Sequence, residues 1–450
     1  MFHTKIRRSR LTPLLMASLL AGCAHYTPLP LVSTPPLAPS VAALEAAPAS
    51  AALSAALSVD EVVALALANN PDLKATRLKR SLGKAQARQA GILPNPSLSG
   101  AFLPLLSGMG TVPAWNLGLS QSIKNIITYR AQHQSAIDSA RQIDADVVWQ
   151  EWQVAGQARQ IATDLIMGAR SRPSYAAAYD LLVERNAKLE TALAAGTTTL
   201  VIVAPDRTAL QAARTALNTL DQRQLSLMHQ LNELLGLKPD VIVPLASQVD
   251  LPSFDPAAIR ADLTTLPDRR PDLIALRMGY AAADEQVRVA ILSQFPDLVL
   301  GGSVASDNAK VINGGPNATI GLPIFDRNQG NIAIARATRE QLHADYSARL
   351  AAAIGTVGSM LTEMEQLSAQ LAVARRDLPA ARSAAARARQ AFGQSNLDER
   401  GYVDLVSNSF TKEQEIMTLE LALLDRQIAI QTLIGAGLPV AGLPVEAGAR

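Results

Sequence analysis

The chain has a single cysteine, Cys23, so no disulfide can form within it. Aromatic residues are scarce, at 4% of the 450 positions, although 48% of residues are apolar. Alanine supplies much of that apolar fraction. Such a composition excludes a large aromatic-filled core and favours long, closely packed helices. There is no basic surplus to suggest a nucleic-acid partner. Residues 1–22 carry Lys5, Arg7, Arg8 and Arg10 and no acid, so removing them turns 41 basic against 39 acidic residues into 37 against 39. The sequence lacks a Walker A glycine–lysine loop, GxSxG, HExxH and paired CxxC. The five histidines, His3, His25, His133, His229 and His343, are scattered. Nothing implies a catalytic constellation, a metal site or a cofactor.

What the sequence does hold is a statement made twice. Asn70-Pro71-Asp72-Leu73 returns 200 residues later as Arg270-Pro271-Asp272-Leu273. Pro96 returns as Pro296 at the same offset, each before a short apolar run and a glycine. Leu234-Leu235-Gly236 returns as Leu433-Ile434-Gly435 at an offset of 199. A solenoid would repeat many times at periods of roughly 20–50 residues. Two copies of a unit of half the chain imply a duplicated architecture.

The N-terminus reads as a targeting segment. A basic region from Lys5 to Arg10 precedes the apolar run Leu11–Leu20, which is too short to span a bilayer. It ends in Leu20-Ala21-Gly22-Cys23, which resembles the lipobox of bacterial lipoproteins. That resemblance implies a signal peptide over 1–22 and acylation of Cys23. Ala24, in place of aspartate, implies sorting to the outer membrane. Residues 23–57, rich in Pro and Ala, read as an extended tether.

The first repeat is expected over 58–240. Ser58 and Glu61 fit a capping box, and Pro71 starts a second helix that runs to about Gly91. Leu98, Gly100 and Phe102, then Leu117, Leu119 and Ile123, alternate about a Gly/Pro/Ser-rich loop, Leu103–Ala114. That predicts a β-hairpin over about 97–124. Helical pattern resumes from Arg130 to about Ala195, some 66 residues and about 100 Å, with Pro173 expected to kink or break it. After a turn at Gly196-Thr197-Thr198, Pro205 is expected to open a return helix. Its Leu210, Ala213, Leu217, Leu220, Gln224, Leu227, Leu231 and Leu234 form a heptad seam. Residues 241–268 read as a linker with four prolines. The second repeat, 269–437, follows the same plan. A hairpin is expected over about 297–325, with strands Leu298–Ala305 and Ala318–Ile324 about a loop that includes Gly314-Gly315-Pro316. A long helix from about Asn331 to Ala391 follows, then a turn at Gly393-Gln394-Ser395-Asn396 and a return helix ending at Gly435. A short tail, 438–450, closes the chain. The class is mainly α with a small β part. Four strands cannot close a barrel alone.

These stretches resemble the TolC-like outer-membrane efflux proteins. The resemblance rests on Leu57–Glu61 with Ala66–Leu73, on Arg270–Leu273 and on Gly321-Leu322-Pro323-Ile324-Phe325-Asp326-Arg327-Asn328-Gln329-Gly330, and it covers roughly 58–437. It implies a homotrimer whose strands share one 12-stranded barrel in outer-membrane lipid. The long helices would form an α-helical tunnel through the periplasm. It further implies a periplasmic adaptor and an inner-membrane pump, of the resistance-nodulation-division type, and cargo such as drugs, toxic compounds or metal ions. Helix tips at Gly196, Thr197, Gly393 and Gln394 would meet the adaptor. Asp398, Glu399, Arg400 and Asp404 would form the periplasmic gate. There the two halves differ: 40 residues separate Gly196 from Gly236, but 42 separate Gly393 from Gly435. The extra half turn leaves Glu399 and Asp404 to be placed by conflicting counts. The same cluster also fits a solvated turn with N-cap acids.

Other candidates are weaker. Met360 and Met364, one turn apart, could bind a soft metal, but they suit helix packing better. Trp149 and Trp152 read as packing anchors. Asp326–Asn331 fits a strand-to-helix turn before an ion site, and the string is similar to that of heavy-metal-efflux members. Type I secretion and a non-conducting coiled-coil scaffold are the rival functions.

Overall fold

A computed structural model of the chain describes residues 26–47, 56–251, 254–436 and 438. Cys23 and the targeting segment lie outside the described residues. Residues 26–37 carry no helix or strand and belong to a unit apart from the one that begins at Ala38.

Ser58 opens helix α1 (Val59–Asn69) with the expected capping box. Its hydroxyl accepts from Glu61 N at 3.2 Å, and the Glu61 carboxylate accepts from Ser58 N at 2.8 Å. Two otherwise unpaired backbone donors are satisfied reciprocally. Asn70 then caps α2 (Pro71–Ala90) by accepting from Leu73 N at 2.8 Å. Its amide donates to Leu234 O at 3.0 Å, tying the start of α2 to the end of a helix 164 residues away.

Strands β1 (Ser97–Leu103) and β2 (Ala114–Ser122) form the first hairpin. Helix α3 (Ile123–Ala194) starts directly from β2, seven residues before the expected position. It continues through Pro173 without a break. α4 (Leu200–Leu235) begins five residues before Pro205, which lies inside its second turn. Proline near a helix start displaces few hydrogen bonds, so Pro205 costs little; Pro173 is deep inside α3 and forfeits an interior bond, yet the helix is not broken there. The linker contains two short helices, α5 (Pro256–Asp262) and α6 (Leu266–Arg269). The second repeat follows with α7 (Pro271–Leu292), β3 (Leu298–Ser306), β4 (Ile312–Ile320), α8 (Gln329–Gly393) and α9 (Glu399–Ile434). β4 corrects the expected hairpin. Gly314-Gly315-Pro316 is not in the loop but inside the strand, and the loop shrinks to 307–311. β4 is an edge strand, the one place in a sheet where proline is tolerated.

The stretch read as a tether is not free along its whole length. Over 38–47, and again at Leu57, it packs on the body. Ala38 bridges Leu237, Val41 and Leu44 enter the core, and Glu45 N donates to Asn69 Oδ1 at 2.8 Å. Leu57 bridges Leu245 in the linker.

The helices form a layer whose order follows from their contacts. α3 packs against α2 and α4 on one side and against α7 and α9 on the other; α8 packs against α7 and α9. Within the layer α4 and α2 follow each other along α3, and α9 and α7 follow each other between α3 and α8. Equivalent core clusters sit where the short helices meet. Leu231 and Leu235 join α1 and Trp152 in one, and Ile430 and Ile434 join Leu266, Leu273 and Val357 in the other. Burial of each such aliphatic side chain contributes about 1.5–3 kcal/mol. Met360 and Met364 pack against the second cluster, as the spacing suggested.

Candidate functional site

The sheet has no core beneath it. All residues of β1 and β4 are exposed, and only Gly118 of β2 and Ser306 of β3 are buried. The four strands pair antiparallel in the order β1-β2-β3-β4. Their register sorts the side chains, because directly paired residues share a face. Leu98 pairs with Leu119, Phe102 with Trp115, Leu117 with Val304, and Leu298 with Ile320. These residues fall on one face. Ser99 pairs with Gly118, Asn116 with Ala305, and Val299 with Thr319. These fall on the other, where serine, asparagine, glycine and alanine predominate. No strand contains a charged residue. A sheet exposing this much apolar side chain is unfavourable in water. Alternation of apolar outside and polar inside is what a lipid-embedded barrel requires. Nine residues give about 30 Å of strand, enough for a tilted crossing of the hydrocarbon core. β1 and β4 are edges, with unpaired backbone groups that lipid would not satisfy. No helix among the described residues is long and apolar enough to cross a membrane.

The far end of the helical layer carries two turns. In the first, Gly196 has φ 72°, Thr197 N donates to Ala192 O at 2.9 Å and Gly196 N donates to Leu193 O at 3.0 Å. In the second, the left-handed residue is Ser395, at φ 59°. Asn396 N donates to Ala391 O at 2.8 Å and Ser395 N to Phe392 O at 2.9 Å. The bonding is the same, so Ser395 and not Gly393 is the counterpart of Gly196. Gly393 is the last residue of α8, and Gln394 caps it. From Ser395 to Gly435 is 40 residues, equal to the first half, so the return helix holds no extra half turn. Glycine is favoured at positive φ but not obligatory at a single exposed residue. Gly393, expected at the turn from its residue type, is therefore one position removed from the cap.

Asp398 is the N-cap of α9, its carboxylate accepting from Gly401 N at 3.1 Å. Glu399 reaches across to α3, where Lys188 Nζ stands 3.1 Å away, and Lys188 also meets Glu184 at 3.0 Å. The two carboxylates raise the Lys188 pKa, first through Glu184 and then through Glu399. Lys188 also lies over the ring of Phe392, and Phe392 stacks on Tyr402 with centroids 4.8 Å apart. Arg185, buried on α3, donates to the Arg400 carbonyl at 3.3 Å and stands 2.8 Å from Asp206. Arg400 and Asp404 form only an exposed pair at 3.8 Å. The structure thus joins the three helices α3, α4 and α9 near the turns through Lys188 and Arg185. Neither residue carries a motif, and one partner of each, Glu399 for Lys188 and the Arg400 carbonyl for Arg185, comes from the other repeat.

At the middle of the layer Arg270 and Asp272 form a buried two-pronged pair, at 2.7 and 2.9 Å. Trp149 lies under the guanidinium at 4.8 Å, and Arg349 of α8 reaches Asp272 at 3.4 Å. The Asp326–Asn331 string is the strand-to-helix turn. Asp326 accepts from Asn328 N at 2.7 Å, Asn328 holds φ 63°, and its amide donates to Ala290 O at 2.7 Å. Among the described residues no group of three or more His, Cys, Asp and Glu comes together as a metal site.

A lipid-suited sheet with open edges, continued by a layer of long helices, defines a barrel-and-duct protein. Comparison with known proteins finds similar chains. Residues 264–436 match the family model for outer membrane efflux protein. The cation efflux system protein CusC of Escherichia coli (strain K12) is 22% identical over 404 residues, spanning 84% of this chain and 86% of CusC. Outer membrane protein OprJ of Pseudomonas aeruginosa is 28% identical over 184 residues, 38% of this chain and 37% of OprJ. The crystal structure of the Campylobacter jejuni CmeC outer membrane channel matches with a TM-score of 0.68 at 19% identity, covering 84% of this chain and 86% of that one. Residues 264–436 thus carry the outer membrane efflux protein domain, and the fold of the whole chain is similar to that of solved outer-membrane channels.

Proposed function

We propose that three copies of the chain join edge to edge as the outer-membrane exit duct of a tripartite efflux system. The observation that carries this reading is the sheet, uncharged, apolar on one face and open at both edges. Three chains of four strands give a twelve-stranded barrel, within the range of known barrels. The helical layer supports the same closure. Its open edges, α2 with α4 on one side and α8 on the other, adjoin β1 and β4 respectively, so one rotation closes both layers.

In this reading Cys23 carries the lipid anchor, and the helical layer forms the periplasmic tunnel. The turns at Gly196, Thr197, Gly393 and Gln394 receive the adaptor, which couples the duct to a pump of the resistance-nodulation-division type. Asp398, Glu399, Arg400 and Asp404 govern the periplasmic opening, with Lys188 as the clasp on Glu399. The cargo is small molecules, whether drugs, toxic compounds or metal ions. The name of CusC adds support for cations. Passage needs no chemistry from the duct. The test is single-channel conductance of the purified protein in a planar bilayer, with the oligomer mass measured in the same detergent. A trimer with small, cation-preferring currents is expected, and Glu399→Gln with Asp404→Asn should weaken that preference. A monomer that never conducts would overturn the reading.

A further inference from the structure

The leucine seam of α4 is interrupted by an amide. Gln224 stands between Leu220 and Leu227, where an aliphatic side chain would pack. The structure places it against α3. Its Nε2 donates to Asp164 O at 3.3 Å, and the amide lies over Gly168, where a Cβ would fall on it. Gln224 also lines a cavity of about 140 Å³ between α3, α4 and α9. Oxygen-bearing side chains of all three helices meet there: Asp164, Ser171 and Tyr175 of α3, Gln224 of α4, and Gln414 and Thr418 of α9. Asp164 is only 7% exposed. Its Oδ2 accepts from the Arg223 guanidinium at 3.2 Å, but its Oδ1 accepts no hydrogen bond among the described residues. A buried carboxylate oxygen in that state is unfavourable unless a group in the cavity meets it.

Charge indicates what that group is. Asp425 of α9 lies close enough for Asp164 to act on it, and Gln160, one turn before Asp164 on α3, donates to it. Burial first, and then Asp164, raise the Asp425 pKa, and Gln160, Arg223 and Arg426 offset this only in part. Arg426 is itself engaged by Glu363 at 2.7 Å. Two carboxylates therefore share one guanidinium, Arg223, and the group is short of one positive charge. Water alone would satisfy Asp164 Oδ1 but would leave the charge unbalanced. At about 30 Å³ per water, the cavity has room for a small cation with roughly two or three waters. A doubly charged ion would overshoot the balance and be repelled by Arg223.

We propose that this cavity binds one monovalent cation of the alkali type through Asp164 Oδ1, with amide and hydroxyl oxygens of Gln224, Gln414, Ser171 and Thr418 completing the shell or holding its waters. Such an ion ties the return helix of the second repeat to both helices of the first hairpin. The site lies within one chain, so it stands or falls independently of the trimer and the barrel. Met167 and Met417 also line the cavity and offer thioethers to a soft ion, and the experiment separates the two chemistries.

Full-length protein in detergent is held in N-methylglucamine buffer and dialysed against thallium(I), a heavy probe of potassium's charge and size. Bound metal is counted by mass spectrometry. One ion per chain is expected, released by K⁺, with an anomalous peak beside Asp164 in crystals soaked in the same salt. Asp164→Asn should weaken retention at least about tenfold, because carboxylate charge sets the affinity of oxygen sites. Asp221→Asn, whose carboxylate pairs with Arg172 and does not line the cavity, should bind as wild type does. If Asp164→Asn does not fold, Gln414→Leu with Thr418→Val is read in its place and should also weaken retention. Failure of the wild type to retain thallium in proportion to chains would leave the cavity to water and overturn the site. Equal retention by a folded cavity variant, an ion displaced by Ag⁺ but not by K⁺, or an adventitious ion only, bound elsewhere on the chain, would overturn it as well.

Discussion

Arg270 illustrates how one side chain reports on both repeats. Its counterpart, Asn70, caps α2 with a neutral amide. Arg270 cannot cap, and instead grips Asp272 two residues on, buried over Trp149 of the first repeat. Removing one partner strands the other charge away from water. Asp272→Ala should lower unfolding stability by about 3–5 kcal/mol, measured by denaturant titration followed by circular dichroism. A loss below 1 kcal/mol, within the range of exposed pairs, would show that water reaches the site. Asp425 on α9 poses the opposite case. Burial raises its carboxyl above the ordinary value, and the hydrogen bond from Gln160 offsets this only in part. The ionised carboxylate is thus unfavourable in the fold. Its cost is absent below about pH 4, where folded and unfolded chains are both protonated, and is complete above the raised folded value. Asp425→Asn should therefore stabilise the protein at about pH 7 and lose that advantage as the pH falls towards 4. Urea midpoints across that range decide it, and a variant equally stable or weaker at neutral pH contradicts the burial argument.

Among the elements, the strands carry the sharpest test of facing. Leu117 pairs with Gly100 and Val304 on the apolar face, and its chain neighbour Asn116 pairs with Ala101 and Ala305 on the polar one. Leu117→Arg should cost about 2–4 kcal/mol per chain in lipid and sharply reduce the inserted, heat-resistant oligomer seen on gels. Asn116→Arg should insert normally, because its side chain meets water in the bore. Equal tolerance of the two would remove the assignment of faces. The strands and helices also differ in how legible they were. Ser58 with Glu61, Gly236 and Gly435 marked helix ends through local hydrogen bonding, and the alternation about Leu98–Phe102 marked β1. Pro205 misled as a helix start, and Gly314-Gly315-Pro316 as a turn. Both are local preferences, and partners elsewhere in the fold outweigh them.

At the scale of the whole molecule, the two layers present matching free edges, and head-to-tail contact either closes into a ring or grows without end. Cys23 is the only natural thiol, so in a Cys23→Ser background, Ser99→Cys on β1 and Asn317→Cys on β4 place unique cross-linking sites on the two edges. A short bismaleimide should give linked dimers and trimers and no larger species. A continuing ladder would mean an open chain of copies, and no cross-linking would mean that the edges never meet.

The sequence by itself determined the duplication, the helix–hairpin–helix order of each half, most caps and the seam of α4, because these depend on contacts within a few residues or on periods of 2 and 3.5 to 3.6. Only the tertiary structure decided that Ser395 answers to Gly196, that Lys188 clasps Glu399 and that Arg270 lies on Trp149. Those partners are separated by some 120 to 210 residues of chain, and no local period records which distant side chain will arrive. The sorting of strand faces needed both. Alternation marked the apolar positions, and the register of four strands gathered them on one side.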